Sequence, residues 1–168
     1  MGLKNCANRI PLTISKPNEV IVIPPREYFI ELAEVVKLKS KDKHTQIGVV
    51  IVGPGNEIIS TGYNSFARGV KDNVNKRQMR PEKYYWFAHA ERNAIYNAAR
   101  IGVSTKGCRM YCTCGVPCAD CAIAIIQCGI KEIWVKQMAV TSNPERWIES
   151  TKRSMQMFKE AKVKIKFY

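Results

Sequence analysis

Residues 89–129 read HAERNAIYNAARIGVSTKGCRMYCTCGVPCADCAIAIIQCG, and this stretch decides the fold. From His89 to Arg100, Ala90, Ala94 and Ala98 share one helical stripe that runs on to Ile101, and Gly102 is a natural stop. Residues 108–114 then predict a strand, and Cys118 to Gln127 a helix ended by Gly129. That second helix is apolar nearly all round, which predicts burial. Helix, strand and helix in such close succession are the repeating unit of an α/β sheet.

The same pattern extends in both directions. Downstream, Glu132 to Lys136 predicts another strand, and Asn143-Pro144-Glu145 starts a helix with a capping side chain, a proline and an acid. Trp147, Ile148, Thr151, Met155 and Phe158 are its expected buried face. Val163, Ile165 and Phe167 alternate with Lys162, Lys164 and Lys166, a final strand whose lysines discourage edge-to-edge pairing. Upstream, Ile47–Val52 and Glu57–Tyr63 predict a hairpin across Gly53-Pro54-Gly55-Asn56. Arg26 to Ser40 predicts a first helix through Phe29, Ile30, Ala33, Val35 and Val36.

Residues 64–86 carry Arg68, Lys71, Lys76, Arg77, Arg80 and Lys83 with few aliphatics, and read as a long, solvated loop. Pro11, Pro17, Pro24 and Pro25 make residues 1–25 an irregular N-terminal arm, which leaves 26–168 as a single domain. The expected architecture is α/β, a mixed sheet between helices.

The chain has 168 residues, 46% hydrophobic and 24% charged, the balance of a soluble globular protein. It has no run of about 20 apolar residues and no signal-peptide anatomy, so it is expected in the cytoplasm, without a membrane partner. Seven cysteines in such a chain point to thiols or metal ligands rather than disulfides. A net charge of +13 suits anionic partners, either nucleic acid or small phosphorylated molecules, and does not choose between them.

Chemistry concentrates in His89-Ala90-Glu91 and Pro117-Cys118-Ala119-Asp120-Cys121, the H-x-E…P-C-x-x-C arrangement of zinc deaminases. Cysteines three apart at a helix start project to one side. Two thiolates and one imidazole give tetrahedral zinc a vacant corner for water. Glu91, two residues from a ligand, can reach that water without occupying the metal and is the expected general acid–base. The alternative is a closed, purely structural zinc site, with Cys108, Cys112, Cys114 or Cys128 as fourth ligand. A closed site gives Glu91 no task.

Four segments resemble the deoxycytidylate deaminases of the cytidine deaminase superfamily. They are Ser40-Lys41-Asp42 leading to Gln46-Ile47-Gly48; Gly62-Tyr63-Asn64; His89 through Ile95; and Pro117 through Ala122. The resemblance, running from about Tyr28 to Lys136, implies a three-layer cytidine deaminase-like fold with a mixed five-stranded sheet. It implies a zinc-dependent conversion of dCMP to dUMP and ammonia, feeding thymidylate synthesis, by a homo-oligomer, commonly a hexamer.

It also implies substrate contacts. Asn64 would hydrogen-bond the sugar, and the N–H of Ala90 and a carbonyl near Cys114 or Gly115 would hold the pyrimidine edge. Arg100 would sit near a subunit interface and the nucleotide site; otherwise Asn64 is a turn asparagine and Arg100 a helix-terminal cation. Two departures stand out. Ser65-Phe66-Ala67 follows Gly62-Tyr63-Asn64 where feedback-regulated relatives have glycine and a proline-containing loop. Thr113-Cys114-Gly115-Val116 either adds one residue before Pro117-Cys118 or puts Cys114 in a threonine's place. Two other readings stay open: a nucleic-acid deaminase of the tRNA-adenosine type, and a non-catalytic zinc module.

Overall fold

A computed structural model describes residues 22–137 and 145–168. Most of the expected arm, and the Asn143-Pro144 helix start, lie outside the described residues. The elements in order are α1 (Pro25–Lys37), β1 (Gly48–Val52), β2 (Ile58–Tyr63), β3 (Ser65–Phe66), α2 (Asn75–Gln78), α3 (Lys83–Trp86), β4 (Phe87–Ala88), α4 (Ala90–Arg100), β5 (Arg109–Cys112), α5 (Ala119–Gln127), β6 (Glu132–Val135), α6 (Glu145–Glu160) and β7 (Lys164–Phe167).

The expected mixed five-stranded sheet is present, in the order β2-β1-β5-β6-β7. β2, β1 and β5 pair antiparallel, and β5, β6 and β7 pair parallel. The central strand β1 is Gly-Val-Val-Ile-Val and is buried throughout. Successive side chains of a strand point to opposite faces, so each face of β1 serves a different layer. Val50 and Val52 pack with Phe29 and Ala33 of α1 and with Tyr111, whereas Val49 and Ile51 pack with Ala90 and Ala94 of α4, Ala122 and Ile125 of α5 and Phe158 of α6. Three layers result.

Two glycines set the spacing of those layers. A Cβ at Gly48 would lie 2.1 Å from the Ala33 carbonyl oxygen, and one at Gly62 would lie 2.3 Å from the Ala94 nitrogen. Only glycine lets α1 approach β1 and α4 approach β2 this closely. Side-chain bonds then fix α4 to the sheet: Asn97 Nδ2 donates to the Thr61 carbonyl, Asn93 Nδ2 donates to the Tyr63 carbonyl, and Ser60 Oγ donates to the Ala94 carbonyl.

Three expectations need correction. The stretch 64–86 is not one solvated loop: it holds α2, α3 and strand β3, whose pairing with β4 is anchored by Phe66 against Phe87. In α6, Ile148 and Met155 are exposed, and the inward stripe is Trp147, Thr151, Ser154 and Phe158. Those positions follow the 3.6-residue repeat, whereas Ile148 lies about 100° off it. In α5, Cys121, Ala122 and Ile125 are buried but Ile123 is 51% exposed, so this helix has an outer face after all.

Candidate metal and catalytic site

His89 and Cys118 occupy equivalent positions in the fold. Each is the extended residue immediately before a helix, His89 at φ −69°, ψ 155° before α4 and Cys118 at φ −67°, ψ 167° before α5. Neither side chain caps its own helix. Both are turned towards each other instead, because α4 and α5 pack side by side on one face of the sheet. His89 Nδ1 lies 3.4 Å from Cys118 Sγ and 3.4 Å from Cys121 Sγ. Among the described residues, His89, Cys118 and Cys121 are the one group of three or more His, Cys, Asp or Glu side chains whose ligand atoms all lie within 4.8 Å of one another.

The donor set and its spacing fit zinc. Zn–N and Zn–S bonds of about 2.0 and 2.3 Å at a tetrahedral angle give an N···S edge of about 3.5 Å, close to the 3.4 Å seen twice here. A hydrogen bond from Cys121 and the adjacent His89 ring push the Cys118 thiol down, whereas the hydrogen bond with Cys118 and burial push Cys121 up. A zinc ion held between them requires both sulfurs as thiolates.

Glu91 sits in the first turn of α4, only 3% exposed. Burial pushes its carboxyl above the ordinary range, against the pull of His89. A buried carboxyl group beside the ligand set is placed for general acid–base work. Cys114 lies beside it, with Sγ 3.9 Å from Glu91 Oε1, and stands outside the ligand group. Its thiol is held strongly protonated by a hydrogen bond with Cys112 and by burial. Cys108, Cys112 and Cys128 are likewise free thiols outside the ligand group.

The expected substrate contacts fall into three places. Ala90 is the first residue of α4 and fully buried, with its N–H at the helix start, and Gly115 lies in the bend between β5 and α5. Asn64, just after β2, is buried and its amide is engaged: Oδ1 accepts from the Ile47 N–H at 2.8 Å, and Nδ2 donates to Asp42 Oδ2 at 3.0 Å and to the Thr45 carbonyl at 2.8 Å. Arg100, exposed at the end of α4, lines a concavity of about 330 Å³ with Arg68, Asn97 and Thr61, and no member of the His89 group lines it.

Reading the sequence missed two features here. Lys83, one of the cations of the expected long loop, is 6% exposed and donates to Asp42 Oδ2 at 2.6 Å. Asp42 also accepts from the His44 and Thr45 N–H groups, and although burial works against its charge, these donors hold its carboxyl below the usual range. The Ser40-Lys41-Asp42 and Gly62-Tyr63-Asn64 motifs therefore meet: Ser40 Oγ donates to the Asn64 carbonyl at 2.7 Å, and Asp42 bonds its side chain. The second feature is Arg92, beside the metal group. Burial opposes its charge, and Cys121, Tyr96, Cys118 and Asp120 together more than offset that.

Comparison with known proteins meets the geometry at this point. Residues 24–137 match the family described as the cytidine and deoxycytidylate deaminase zinc-binding region. The chain is 40% identical over 112 residues to human deoxycytidylate deaminase, covering 64% of this chain and 61% of that one. It is 37% identical over 137 residues to an uncharacterised deaminase from the luxG 3' region of Aliivibrio fischeri, covering 82% and 88%. The fold is similar to that of the dCMP deaminase of cyanophage S-TIM5, solved with dCMP and dUMP, at a TM-score of 0.68 and 22% identity over 88% of this chain and 100% of that one. The three-layer cytidine deaminase-like architecture is thus the observed one. With His89, Cys118 and Cys121 gathered at two helix starts and Glu91 beside them, the chain belongs to the zinc-binding cytidine and deoxycytidylate deaminase family.

Proposed function

We propose that this protein hydrolyses the exocyclic amine of cytosine in a free deoxynucleotide, converting dCMP and water to dUMP and ammonia. The observation that carries the reading is the buried Glu91 next to a ligand set of three side chains among the described residues. The homology to enzymes that act on deoxycytidylate favours this substrate.

His89, Cys118 and Cys121 would hold the zinc. Zinc bound there supplies Lewis acidity that lowers the pKa of a coordinated water to about 7. Glu91 takes a proton from the attacking water and passes it to N3 of the ring as the new C4–O bond forms. It then takes the proton of the C4 hydroxyl and delivers it to the amine as the C4–N4 bond breaks, leaving uracil and ammonia. The Ala90 N–H and the Gly115 carbonyl are suited to the two polarities of the pyrimidine edge. Asn64 can offer the sugar only an acceptor, the spare lone pair of Oδ1, because its own protons serve Asp42 and Thr45. Arg100, with Arg68, offers positive charge for an anionic group.

The product suits thymidylate synthesis. We further propose a cytoplasmic homo-oligomer; exposed Tyr96 on α4, Ile101 just after it and Ile58 on edge strand β2 support an assembly surface there. No helix among the described residues is long and apolar enough to cross a membrane.

A second reading, deamination of a base in RNA, draws on the charge of +13. Assaying dCMP, dCTP, cytidine and an RNA stem-loop side by side separates the two. The proposal expects dCMP to be the best substrate; turnover of the RNA alone overturns it.

A further inference from the structure

Helix α6 lies beyond the matched residues 24–137, yet it touches both halves of the metal group. The need arises at α5. Cys118 stands at the capping position with its sulfur turned to the ligand group, so it cannot satisfy the helix's free N–H groups. Ser150 of α6 accepts from the Ala119 N–H through Oγ at 2.9 Å instead. Trp147 is three residues earlier, on the same face of the helix. Its ring centroid lies 6.0 Å from that of His89 at 68°, and 6.4 Å from that of Tyr84 at 87°.

Trp147 therefore stands beside the one imidazole of the ligand set, and Tyr84, from a separate element, stands against Trp147. Both keep solvent access: Tyr84 is exposed and Trp147 partly so, which is the condition of a pocket wall rather than of a core. Aromatic faces hold planar bases by stacking, and Trp147 presents such a ring against a residue of the ligand set.

We propose that Trp147 is a substrate-positioning residue, forming with Tyr84 the aromatic wall against which the pyrimidine of the nucleotide packs. This rests on the proposed deamination of a free pyrimidine nucleotide. Ser150 anchors α6 so that the wall keeps its place when the metal group is filled.

The test uses the full, zinc-loaded chain and the variants Trp147→Ala, Trp147→Phe and Tyr84→Ala. It measures kcat and KM for dCMP, calorimetric binding of dUMP, and zinc per chain. The wall predicts that Trp147→Ala raises KM and weakens dUMP binding by about tenfold or more. It also predicts that zinc content is kept, that kcat changes less than KM, and that Trp147→Phe recovers most of the loss. Should Trp147→Ala not fold, Trp147→Phe and Tyr84→Ala carry the same test with smaller shifts. KM and dUMP affinity within about twofold of the parent overturn the proposal, and so does an activity loss that merely follows lost zinc. If the parent protein itself neither turns over dCMP nor binds dUMP, the underlying function fails, and the wall with it.

Discussion

The molecule contains two buried polar clusters that solve the same problem in opposite ways. At the metal group, two thiols and an imidazole bring their ligand atoms within 4.8 Å of one another, a donor set suited to a cation from outside. At the Asp42 cluster, the carboxylate meets its counter-charge within the chain: Lys83 on one side, backbone N–H groups and Asn64 on the other. Buried charge must be paired or lose its charge. The first cluster leaves its capacity open for a ligand. The second is closed, so it holds shape: it fixes the ends of β1 and β2 through Ile47 and Asn64.

Altering Glu91 separates chemistry from architecture most sharply. Glu91→Gln keeps the shape and both helix starts but cannot exchange the proton. Turnover is expected to fall by about 10²–10⁴ or more while zinc content and melting temperature hold. Steady-state kinetics with metal analysis checks this, and a variant that stays fully active removes Glu91 from the mechanism.

The closed cluster should respond in the other currency, stability. Asp42→Asn leaves the Lys83 ammonium buried beside a neutral group, and losing one partner of a buried pair costs about 3–5 kcal/mol. An unfolding free energy from denaturant titration lowered by that amount is the expected result; an unchanged value means the pair is not worth what its burial implies.

The pH dependence sharpens the same point. Because the folded pKa of Asp42 is depressed, its contribution is fully present above the unfolded value of about 3.9 and is lost as pH falls through the lower folded value. Unfolding midpoints measured from about pH 5 downwards should show this acid loss in the parent and a flatter limb in Asp42→Asn.

The smallest effect belongs to the support of the metal helix. Ser150→Ala removes the acceptor for the Ala119 N–H, a loss of about 1 kcal/mol, the size of an ordinary helix cap. Calorimetry should record a melting temperature lower by about 2–4 °C.

The comparison also explains what could be read from sequence. The metal group was legible because its residues lie at helix starts, where short spacings have a fixed spatial meaning: two residues from His89 to Glu91, and three from Cys118 to Cys121. The sheet was legible because Val49 to Val52 and Met110 to Cys112 are continuous apolar segments between recognisable turns. The Asp42 cluster was not. Asp42, Asn64 and Lys83 stand 22 and 41 residues apart, on no shared element, and a lysine among exposed cations gives no local sign of burial. Trp147 was read as a core residue of α6 because periodicity reports which face of a helix turns inward, not which neighbour it meets there. The short β3–β4 pair was missed because two-residue strands carry no alternation to count.

The whole account depends on a zinc site with three protein ligands and one exchangeable position. X-ray absorption at the zinc edge of the loaded protein tests it directly. Two sulfur scatterers near 2.3 Å, one imidazole and one further light atom are predicted, from the usual zinc bond lengths. Three sulfurs, with Cys114 moved off Glu91 to close the shell, would contradict it.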